Sequence, residues 1–530
     1  IVGDIRTKTL LIGKTAEVKG EIIADNVRVH GNVRGQIKAR AVTLAKTAHV
    51  IGDILHDDLS IETGAFLEGL CKRMTGSELG LVTVMYAAQK GFTGGFSAFH
   101  IAVVAGIVPL LVGFTGFIVV PLRKLGVMTI PQYYGLRFGQ GVRIYGGILL
   151  AVAGVLNMGM FLKAGAIFVT ALTGLNDPMQ VNLVMTALII LVLIYTTMGG
   201  MVSVIITDYL QFVVLSFGLL LACGLAVSEL GWDNLVGAVE AIHGEAGFNP
   251  AHKDGFGISY MAWMLLTAGL VSSTIWQTAV MRASSAESEE VVRNLYKWSS
   301  VGFLIRFLLP QFLGICALAY FMDIPEARSE LLTPDGSIVD SSELTMSAFP
   351  HFLGQILPVG IIGIVGAGML AAFMSTHDSY LLCWASVIVE DVIVPLRGGE
   401  MSTRSRLLLA RLLIVLIGVF LLIWSLWYPL GQDLLDYMMI SGAIYFTGAL
   451  ALLVLGIYWK RASRVGAYLA LTAGGLAVFG LTPVQEAFGL EKIETAHVGL
   501  FATGVALVLM VLGSLLFPDK EMPNQGETDE

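Results

Sequence analysis

Residues 360–389 read GIIGIVGAGMLAAFMSTHDSYLLCWASVIV, and this stretch decides the class of fold. It is long enough to cross a bilayer, because a helix of about 20 apolar residues spans the hydrocarbon core. Its one run of consecutive polar residues lies in the middle, at Ser375-Thr376-His377-Asp378-Ser379. Polar groups at membrane depth are costly and are usually paired or functional. The stretch therefore predicts a membrane helix that carries a site.

The chain around this stretch is equally apolar. Only 14% of its residues are charged and its mean hydropathy is +0.78, whereas soluble proteins are about 25% charged. The net charge of −8 does not favour nucleic acid as a partner. From Ser77 to Phe92 runs an apolar stretch that predicts a partial helix, since it is too short to span alone. Eleven full spans are predicted after it, near 97–121, 143–174, 179–199, 203–227, 258–281, 295–322, 356–389, 405–428, 434–458, 464–482 and 496–516.

The loops between these stretches alternate in charge. Four alternate loops are basic and the intervening ones are acidic or neutral, as an up-and-down bundle requires. Because cytoplasmic loops collect Lys and Arg, we expect the basic loops, the residues before the first helix and the tail 518–530 to be cytoplasmic. The basic residues are Arg123, Lys124, Arg137 and Arg143; Arg282, Arg293 and Lys297; Arg397, Arg404 and Arg406; and Lys460, Arg461 and Arg464.

Residues 1–73 differ from the rest, since they are polar and carry a repeat of 15 to 17 residues. Its clearest copies are Val18-x-Gly20-x-Ile22, Val33-x-Gly35-x-Ile37 and Val50-x-Gly52-x-Ile54, with weaker copies at Ile1-x-Gly3-x-Ile5 and Leu67-x-Gly69-x-Cys71. A repeat of this kind predicts stacked rungs that bury apolar faces only against each other. The region resembles a bactofilin, a polymer-forming bacterial cytoskeletal protein. The resemblance implies a right-handed β-helix that self-assembles and has no active site; the alternative is an inert solenoid cap.

One face of the helix at 356–389 is polar. Ala372, Ser375 and Thr376 are spaced i, i+3 and i+4, so they share a face. Two hydroxyls and a backbone carbonyl on one face suit a hard cation with oxygen ligands. The alternative is that the hydroxyls only bond to carbonyls one turn back or let helices approach closely.

A second motif lies between two predicted spans. Gly199 and Gly200 predict a tight turn, and Asp208 follows near the start of the next helix. A carboxylate there would either cap the helix or serve as a charged step on an ion pathway.

These motifs resemble the sodium:solute symporter family, which has a LeuT-type inverted-repeat core. The resemblance covers residues 75 to about 516 and is carried by 199–211, 276–282 and 371–379. It implies that sodium binds the carbonyl of Ala372, the hydroxyls of Ser375 and Thr376, and the carbonyl of Met74, and that Asp208 assists sodium release. The family's other carbonyl donor falls at Cys71, in the last β rung, and Lys72 and Arg73 follow where the family has small or acidic residues.

The substrate site is predicted less sharply. In such transporters a broken helix near the midplane exposes its backbone to the ligands, and Met74-Thr75-Gly76 fits that break. The basic residues Lys163 and Arg306 lie in apolar runs and either pair, snorkel or bind a substrate carboxylate. The predicted substrate-binding residues are Thr75, Gly76, Asn157, Ser273, Trp276 and Tyr445.

Taken as a whole, the sequence predicts a β-helix at 1–73, a symporter-like bundle at 74–517 and a cytoplasmic tail at 518–530. We expect sodium-coupled symport of an amino acid, carboxylate, sugar or vitamin across a bacterial inner membrane, with lipid around the bundle. Na⁺ is the only metal expected; no cofactor, nucleic acid or enzyme activity is expected. The alternative is a membrane-anchored polymerising scaffold whose ion site is broken by the fusion.

Overall fold

A computed structural model describes most of the chain. The described residues are 1–52, 54–61, 66–68, 71–73, 80–175, 177–198, 201–284, 286, 288–324, 331–333, 337–399 and 401–519.

The N-terminal region is a two-sheet β-solenoid. All the strand pairs are parallel, and the sheets have the orders β1-β3-β5-β7-β9 and β2-β4-β6-β8. Equivalent residues stack from rung to rung, in the order Ile5, Ile22, Ile37, Ile54 and Cys71. The strands are β1 Ile5–Ile12, β2 Glu17–Lys19, β3 Ile22–Val29, β4 Asn32–Arg34, β5 Ile37–Leu44, β6 His49–Ile51, β7 Ile54–Ile61, β8 Phe66–Glu68 and β9 Cys71–Arg73.

Glycines fix the corners of this solenoid. Gly20, Gly35 and Gly52 have φ values of +146°, +142° and +141°, a region that other L-residues rarely adopt. A β-carbon at Gly52 would also collide with the carbonyl oxygen of Gly35. The isoleucine that follows each corner is fully buried, so the glycine repeat sets both the backbone turn and the register of the apolar core.

The rest of the described chain is helical. Short 3₁₀ turns interrupt it at Gly95–Ala98, Met158–Met160, Gly244–Gly247 and Gly475–Gly480, and π-helical turns at Leu265–Val271 and Ile388–Ile393. The helices are α1 Leu81–Gly94, α2 Phe99–Thr115, α3 Val119–Lys124, α4 Ile130–Phe138, α5 Gln140–Asn157, α6 Phe161–Thr173, α7 Pro178–Met198, α8 Met201–Leu230, α9 Trp232–His243, α10 Gly257–Met264, α11 Ser272–Thr274, α12 Gln277–Ser284, α13 Glu289–Met322, α14 Ser342–Ile356, α15 Val359–Val387, α16 Val394–Leu396, α17 Thr403–Trp427, α18 Leu434–Tyr458, α19 Arg464–Gly474, α20 Thr482–Phe488 and α21 Thr495–Leu516.

Ten helical segments of the described chain are long and apolar enough to cross a membrane. The count is eleven if the segments Arg464–Gly480 and Thr482–Phe488, which meet at 82°, form one span. This agrees with the predicted eleven spans. The ten are Leu81–Thr115, Gln140–Thr173, Pro178–Thr197, Val213–Leu230, Gly257–Met281, Glu289–Met322, Val359–Leu396, Arg404–Trp427, Leu434–Tyr458 and Thr495–Leu516.

The first of these segments is a helical hairpin. Its two helices, α1 and α2, pack on α13 in opposite directions and turn back at the 3₁₀ turn Gly95–Ala98. The partial helix predicted at 77–92 is therefore α1, which runs away from the end of the bundle that carries the basic loops. The residue pairs in contact are Thr83–Arg306 and Ala88–Gly314 along α1, and Ala98–Gln311 and Gly113–Lys297 along α2.

One predicted span boundary was wrong. The span predicted at 97–121 ends at Thr115, because Gly116 takes up a left-handed conformation and closes the helix; the residues that follow form the separate helix α3. The span predicted at 464–482 agrees with the helical run Arg464–Gly480, which ends where the backbone of Leu481 is extended. Helix ends are set by local turn chemistry, which hydropathy does not report.

Candidate functional site

The predicted cation-binding face lies in the middle of α15. Ala372 is fully buried, whereas Ser375 and Thr376 are partly buried. The hydroxyl of Thr376 donates to the carbonyl oxygen of Ala372 at 2.8 Å. His377 packs beside them, with its ring 4.0 Å from that of Phe373 and its Nδ1 2.9 Å from the Phe373 carbonyl. The face therefore carries a hydroxyl and a carbonyl that are hydrogen-bonded to each other.

The start of α1 reaches this face. Gly80 caps α1, and a β-carbon at that position would come within 2.9 Å of the Thr376 hydroxyl oxygen. The absence of a side chain on Gly80 leaves room beside Thr376. The N-terminal end of α1 thus lies directly at the polar face of α15.

Four of the predicted residues receive little or no structural description. Met74, Thr75 and Gly76 lie outside the described residues. Asp208 lies in α8, which begins at Met201, so it is about two turns inside the helix. Capping acts in the first turn, which argues against the capping interpretation of Asp208.

Two other predicted residues lie where membrane helices break. Asn157 ends α5 and is followed by the 3₁₀ turn Met158–Met160. Trp276 lies in the gap between α11 and α12. Irregular backbone at membrane depth occurs where it is buried in protein or lines a cavity. Both breaks therefore mark the interior of the bundle as a place where backbone groups are available to ligands.

Aromatic side chains gather at the second break. The ring of Trp276 lies 6.0 Å from that of Tyr380 and 6.1 Å from that of Trp384. Trp384 in turn packs on Gly154, one turn before Asn157. The structure thus connects Asn157 and Trp276 through Trp384. The indole nitrogen of Trp384 is buried without a hydrogen-bond partner among the described residues, as is Oδ1 of Asn157.

The last two predicted residues are already engaged in other contacts. The hydroxyl of Ser273 donates to the carbonyl of Gly269 at 2.6 Å, and its own carbonyl accepts from Tyr296 at 2.7 Å. The hydroxyl of Tyr445 lies 3.1 Å from that of Tyr134 in α4. Tyr445 therefore belongs to a separate cluster, beside α4, which lies within the first of the basic loops.

A largely buried cluster of charge was not predicted from the sequence. We call it the Lys90 cluster; its residues are Lys90, Tyr260, Asp433 and Asp436. The ammonium of Lys90 lies 2.7 Å from a carboxylate oxygen of Asp433 and 2.7 Å from one of Asp436. The hydroxyl of Tyr260 donates to Asp436 at 2.8 Å. The Lys90 side chain is only 5% exposed. The cluster ties α1 to α10 and α18, and its signal was a lysine inside an apolar stretch.

Gln89 forms uncharged hydrogen bonds between helices beside this cluster. Its amide nitrogen donates to the hydroxyls of Ser342 and Thr345 at 2.9 and 3.0 Å, and its amide oxygen accepts from the backbone of Leu434 at 3.2 Å. Gln89 is almost fully buried. It joins α1 to α14 and α18. Gln89 and Lys90 together therefore connect α1 to three helices, which are α10, α14 and α18.

A cavity of about 380 Å³ lies next to the partners of Gln89 and Lys90, at the end of the bundle opposite to the basic loops. We call it the acidic-end cavity. Its lining residues are Thr93, Ile338, Val339, Asp340, Ser341, Ser342, Thr345, Gly431, Gln432 and Asp433.

An ion pair lies near the other end of the bundle. Arg143 donates to Asp391 at 3.0 and 2.9 Å and to the carbonyl of Glu390 at 3.2 Å. Asp391 is fully buried. Ion-paired groups thus connect helices on both sides of the polar face of α15.

Membrane helices that break around buried polar groups are typical of secondary transporters. A sequence model of the Sodium:solute symporter family matches residues 67–474, more than three quarters of the 530 residues. The chain therefore belongs to the sodium:solute symporter family. Residues 1–72 match a second model, bactofilin, described as polymer-forming cytoskeletal, which confirms the predicted N-terminal β-solenoid.

Similar proteins include two mammalian cotransporters. Sodium/mannose cotransporter SLC5A10 of Bos taurus is 29% identical over 449 residues, which are 74% of this chain and 70% of that protein. Sodium/glucose cotransporter 1 of Mus musculus is 26% identical over 450 residues, which are 76% of this chain and 65% of that protein. The chain thus spans about two thirds of the length of these curated relatives.

A solved structure shares the fold of the bundle. It is that of a Na⁺-coupled sialic acid symporter in a substrate-bound, outward-open state, with a TM-score of 0.64 and 20% identity. The superposition covers 84% of this chain and 89% of that one. This likeness confirms the LeuT-type fold.

Proposed function

We propose that the chain is a sodium-coupled symporter that carries a small organic solute across a bacterial inner membrane. The observation that carries the proposal is the polar face of α15, with Gly80 of α1 directly against it. The names of the relatives favour a sugar among the solutes that the sequence analysis left open.

The sodium ligands we propose are Ala372, Ser375 and Thr376, with Met74. A hard monovalent cation needs several oxygen ligands, and a hydroxyl can donate its hydrogen to one oxygen while its lone pairs face a cation. The hydrogen bond from Thr376 to Ala372 therefore orients the Thr376 oxygen and leaves it able to act as a ligand. Asp208, two turns into α8, is proposed on the ion pathway.

The solute site we propose lies between the two helix breaks. Asn157 and Trp276 contribute to it, with Ser273, Tyr445, Thr75 and Gly76 as further candidates. Trp384 provides an aromatic wall and an indole donor that no described residue engages. The apolar face of a solute could stack on the ring of Trp384, and its polar edge could accept a hydrogen bond from the indole nitrogen.

The orientation follows from charge. We propose that the end with the basic loops is cytoplasmic, because Lys and Arg collect on that side. Since α1 runs away from this end, the β-solenoid at 1–73 would also be cytoplasmic, as would the tail at 518–530.

A second function is favoured by one observation. Strand β9 keeps Cys71–Arg73 paired with β7, at the position where the family resemblance requires the inner half of a broken helix. Cys71 then cannot supply the second carbonyl ligand, and the charges of Lys72 and Arg73 would repel sodium. The alternative is therefore a membrane-anchored, polymerising scaffold with impaired transport.

Uptake by proteoliposomes that contain the full chain tests the two functions. We expect an inward sodium gradient to raise the uptake of labelled D-glucose or D-mannose, or of a labelled amino acid or carboxylate, above that seen with an equal potassium gradient. Equal uptake in sodium and potassium, together with filaments formed by the purified protein, would favour the scaffold.

A further inference from the structure

The acidic-end cavity has the size of a solute site and a polar wall. Its volume of about 380 Å³ falls in the range of small-molecule pockets, about 300–1,000 Å³. Hydroxyls, an amide and carboxylates make up most of the lining, and none of the lining residues that the structure describes is basic. Asp433 belongs to this wall and to the Lys90 cluster, so the ion-paired cluster lies directly behind the cavity.

The described residues around the cavity carry a net negative charge. Lys90 contributes one positive charge, whereas Asp433 and Asp436 contribute two negative charges at 2.7 Å from it. Asp340 adds a further carboxylate to the wall. The charge of the Lys90 ammonium is therefore more than neutralised. Asp433 lines the cavity and Lys90 does not, so a solute would have to displace a carboxylate to reach the ammonium.

Lys163 and Arg306, the other two basic residues noted in apolar runs of the sequence, also have polar or aromatic partners. Lys163 pairs with Glu343 at 2.7 Å and donates to the carbonyl of Tyr428 at 3.3 Å. Arg306 donates to the hydroxyl of Thr83 at 2.5 Å and lies over the ring of Phe303. Neither residue lines the acidic-end cavity, so neither offers a direct partner to a carboxylate bound there.

We infer that the acidic-end cavity is a recognition site which a neutral, hydroxyl-rich solute occupies before it reaches the centre of the bundle, and which excludes carboxylated solutes. Hydroxyls of the solute can donate to Asp340 and Asp433 and can exchange hydrogen bonds with Ser341. A carboxylate in the same place would face Asp340 and Asp433 with no cation among the described lining residues, and like charges repel. The inference rests on the proposed symport, because it names the class of solute that is carried.

Occupancy of this cavity can be measured directly as protection of an introduced cysteine from labelling when a solute is bound. Val339 lies in the wall and is partly exposed, so Val339→Cys places a thiol there, and Ile338→Cys is a second reporter on the same wall. The background is the full chain with its four cysteines, Cys71, Cys223, Cys316 and Cys383, replaced by serine. Glu491→Cys, on an exposed turn near α21, is the control that lies outside the cavity.

The probes are three sugars of one size. Labelling by a membrane-impermeant maleimide is followed in proteoliposomes with D-glucose, D-mannose or D-glucuronate, the last of which replaces one hydroxymethyl group with a carboxylate. We expect glucose or mannose to slow the labelling of Val339→Cys, glucuronate to be at least tenfold less potent, and Glu491→Cys to label equally in all conditions. Asp433→Asn should reduce the tenfold discrimination to less than threefold.

Two results would overturn the inference: protection by glucuronate equal to that by glucose, or no protection by either neutral sugar at both reporter positions. Sodium-driven uptake in the same vesicles separates this failure from a failure of the proposed function. Uptake that needs sodium but occurs without protection would reject the recognition site alone. Protection with equal uptake in sodium and potassium would reject the symport and leave the binding of neutral sugars standing.

Discussion

The β-solenoid and the helical bundle use charge in different ways. In the solenoid, ion pairs such as Lys19–Glu17 lie on the surface, about half exposed, while stability comes from stacked apolar rungs. In the bundle, Lys90 is buried between two carboxylates and joins three helices. A periodic fold can thus be built from a local rule repeated along the chain. The bundle instead depends on single contacts between residues far apart in sequence.

The largest effect should come from breaking the Lys90 cluster. Lys90→Met leaves the partly buried carboxylates of Asp433 and Asp436 without their cation, and removal of one partner of a buried pair costs up to about 3–5 kcal/mol. We expect a clear fall in the apparent melting temperature of the bundle in nanodiscs. The variant that also carries Asp433→Leu and Asp436→Leu should recover much of the loss, since no charge is then left unpaired. A melting temperature unchanged in Lys90→Met would show that the cluster does not hold the helices.

The next effect lies in the solenoid. Gly52→Val forces a β-branched residue to φ +141° and against the Gly35 carbonyl, which should cost about 3 kcal/mol in strain and overpacking. Limited proteolysis of the full chain should then cut within 1–73 much faster, while the bundle resists.

Gly13→Ala is the matched control for this substitution. A β-carbon added at Gly13 would meet no described atom within 4 Å, and Gly13 has no positive φ, so that variant should digest like the parent. Equal digestion of Gly52→Val and Gly13→Ala would contradict the role given to the corner glycines.

A smaller effect is expected at the polar face of α15. Ser375→Ala removes one proposed oxygen ligand without adding bulk, and we expect the sodium concentration for half-maximal uptake to rise about tenfold, equivalent to about 1.4 kcal/mol. Ser386→Ala, about three turns further along α15, is the control and should leave sodium dependence unchanged. Identical sodium curves for both variants would remove Ser375 from the ligand set.

The smallest effect is expected at the solenoid surface. Lys19 pairs with Glu17 at 3.4 Å and both side chains are about half exposed, and such a pair contributes only about 0–1 kcal/mol. Lys19→Met should therefore change the rate of proteolysis within 1–73 by less than a fewfold, far less than Gly52→Val. A loss as large as that of Gly52→Val would show that charge and not rung stacking stabilises the solenoid.

The sequence predicted the solenoid well because its rule is local. The spacing of Gly20, Gly35 and Gly52 predicted the register in which Ile22, Ile37 and Ile54 stack. The apolar stretches likewise predicted the membrane helices, because the thickness of the bilayer fixes their length. Helix ends were predicted less well, since single residues such as Gly116 decide them.

The site was predicted only in part, for a physical reason. Ser375 and Thr376 share a face of one helix, so their spacing alone brings them together. Lys90 and Asp436 are 346 residues apart, and only the packing of α1 against α18 makes them neighbours. The helix break at Trp276 was also not predicted, because neither Ile275 nor Trp276 is a residue type that usually ends a helix.

Equilibrium binding of ²²Na⁺ to the purified full chain tests the central claim most directly, since it needs no knowledge of the solute. We predict saturable binding that potassium does not displace and that is weakened at least tenfold when Ser375 and Thr376 are both replaced by alanine. Binding that is absent, or that is equally strong in the double variant, would contradict a sodium site on the polar face of α15.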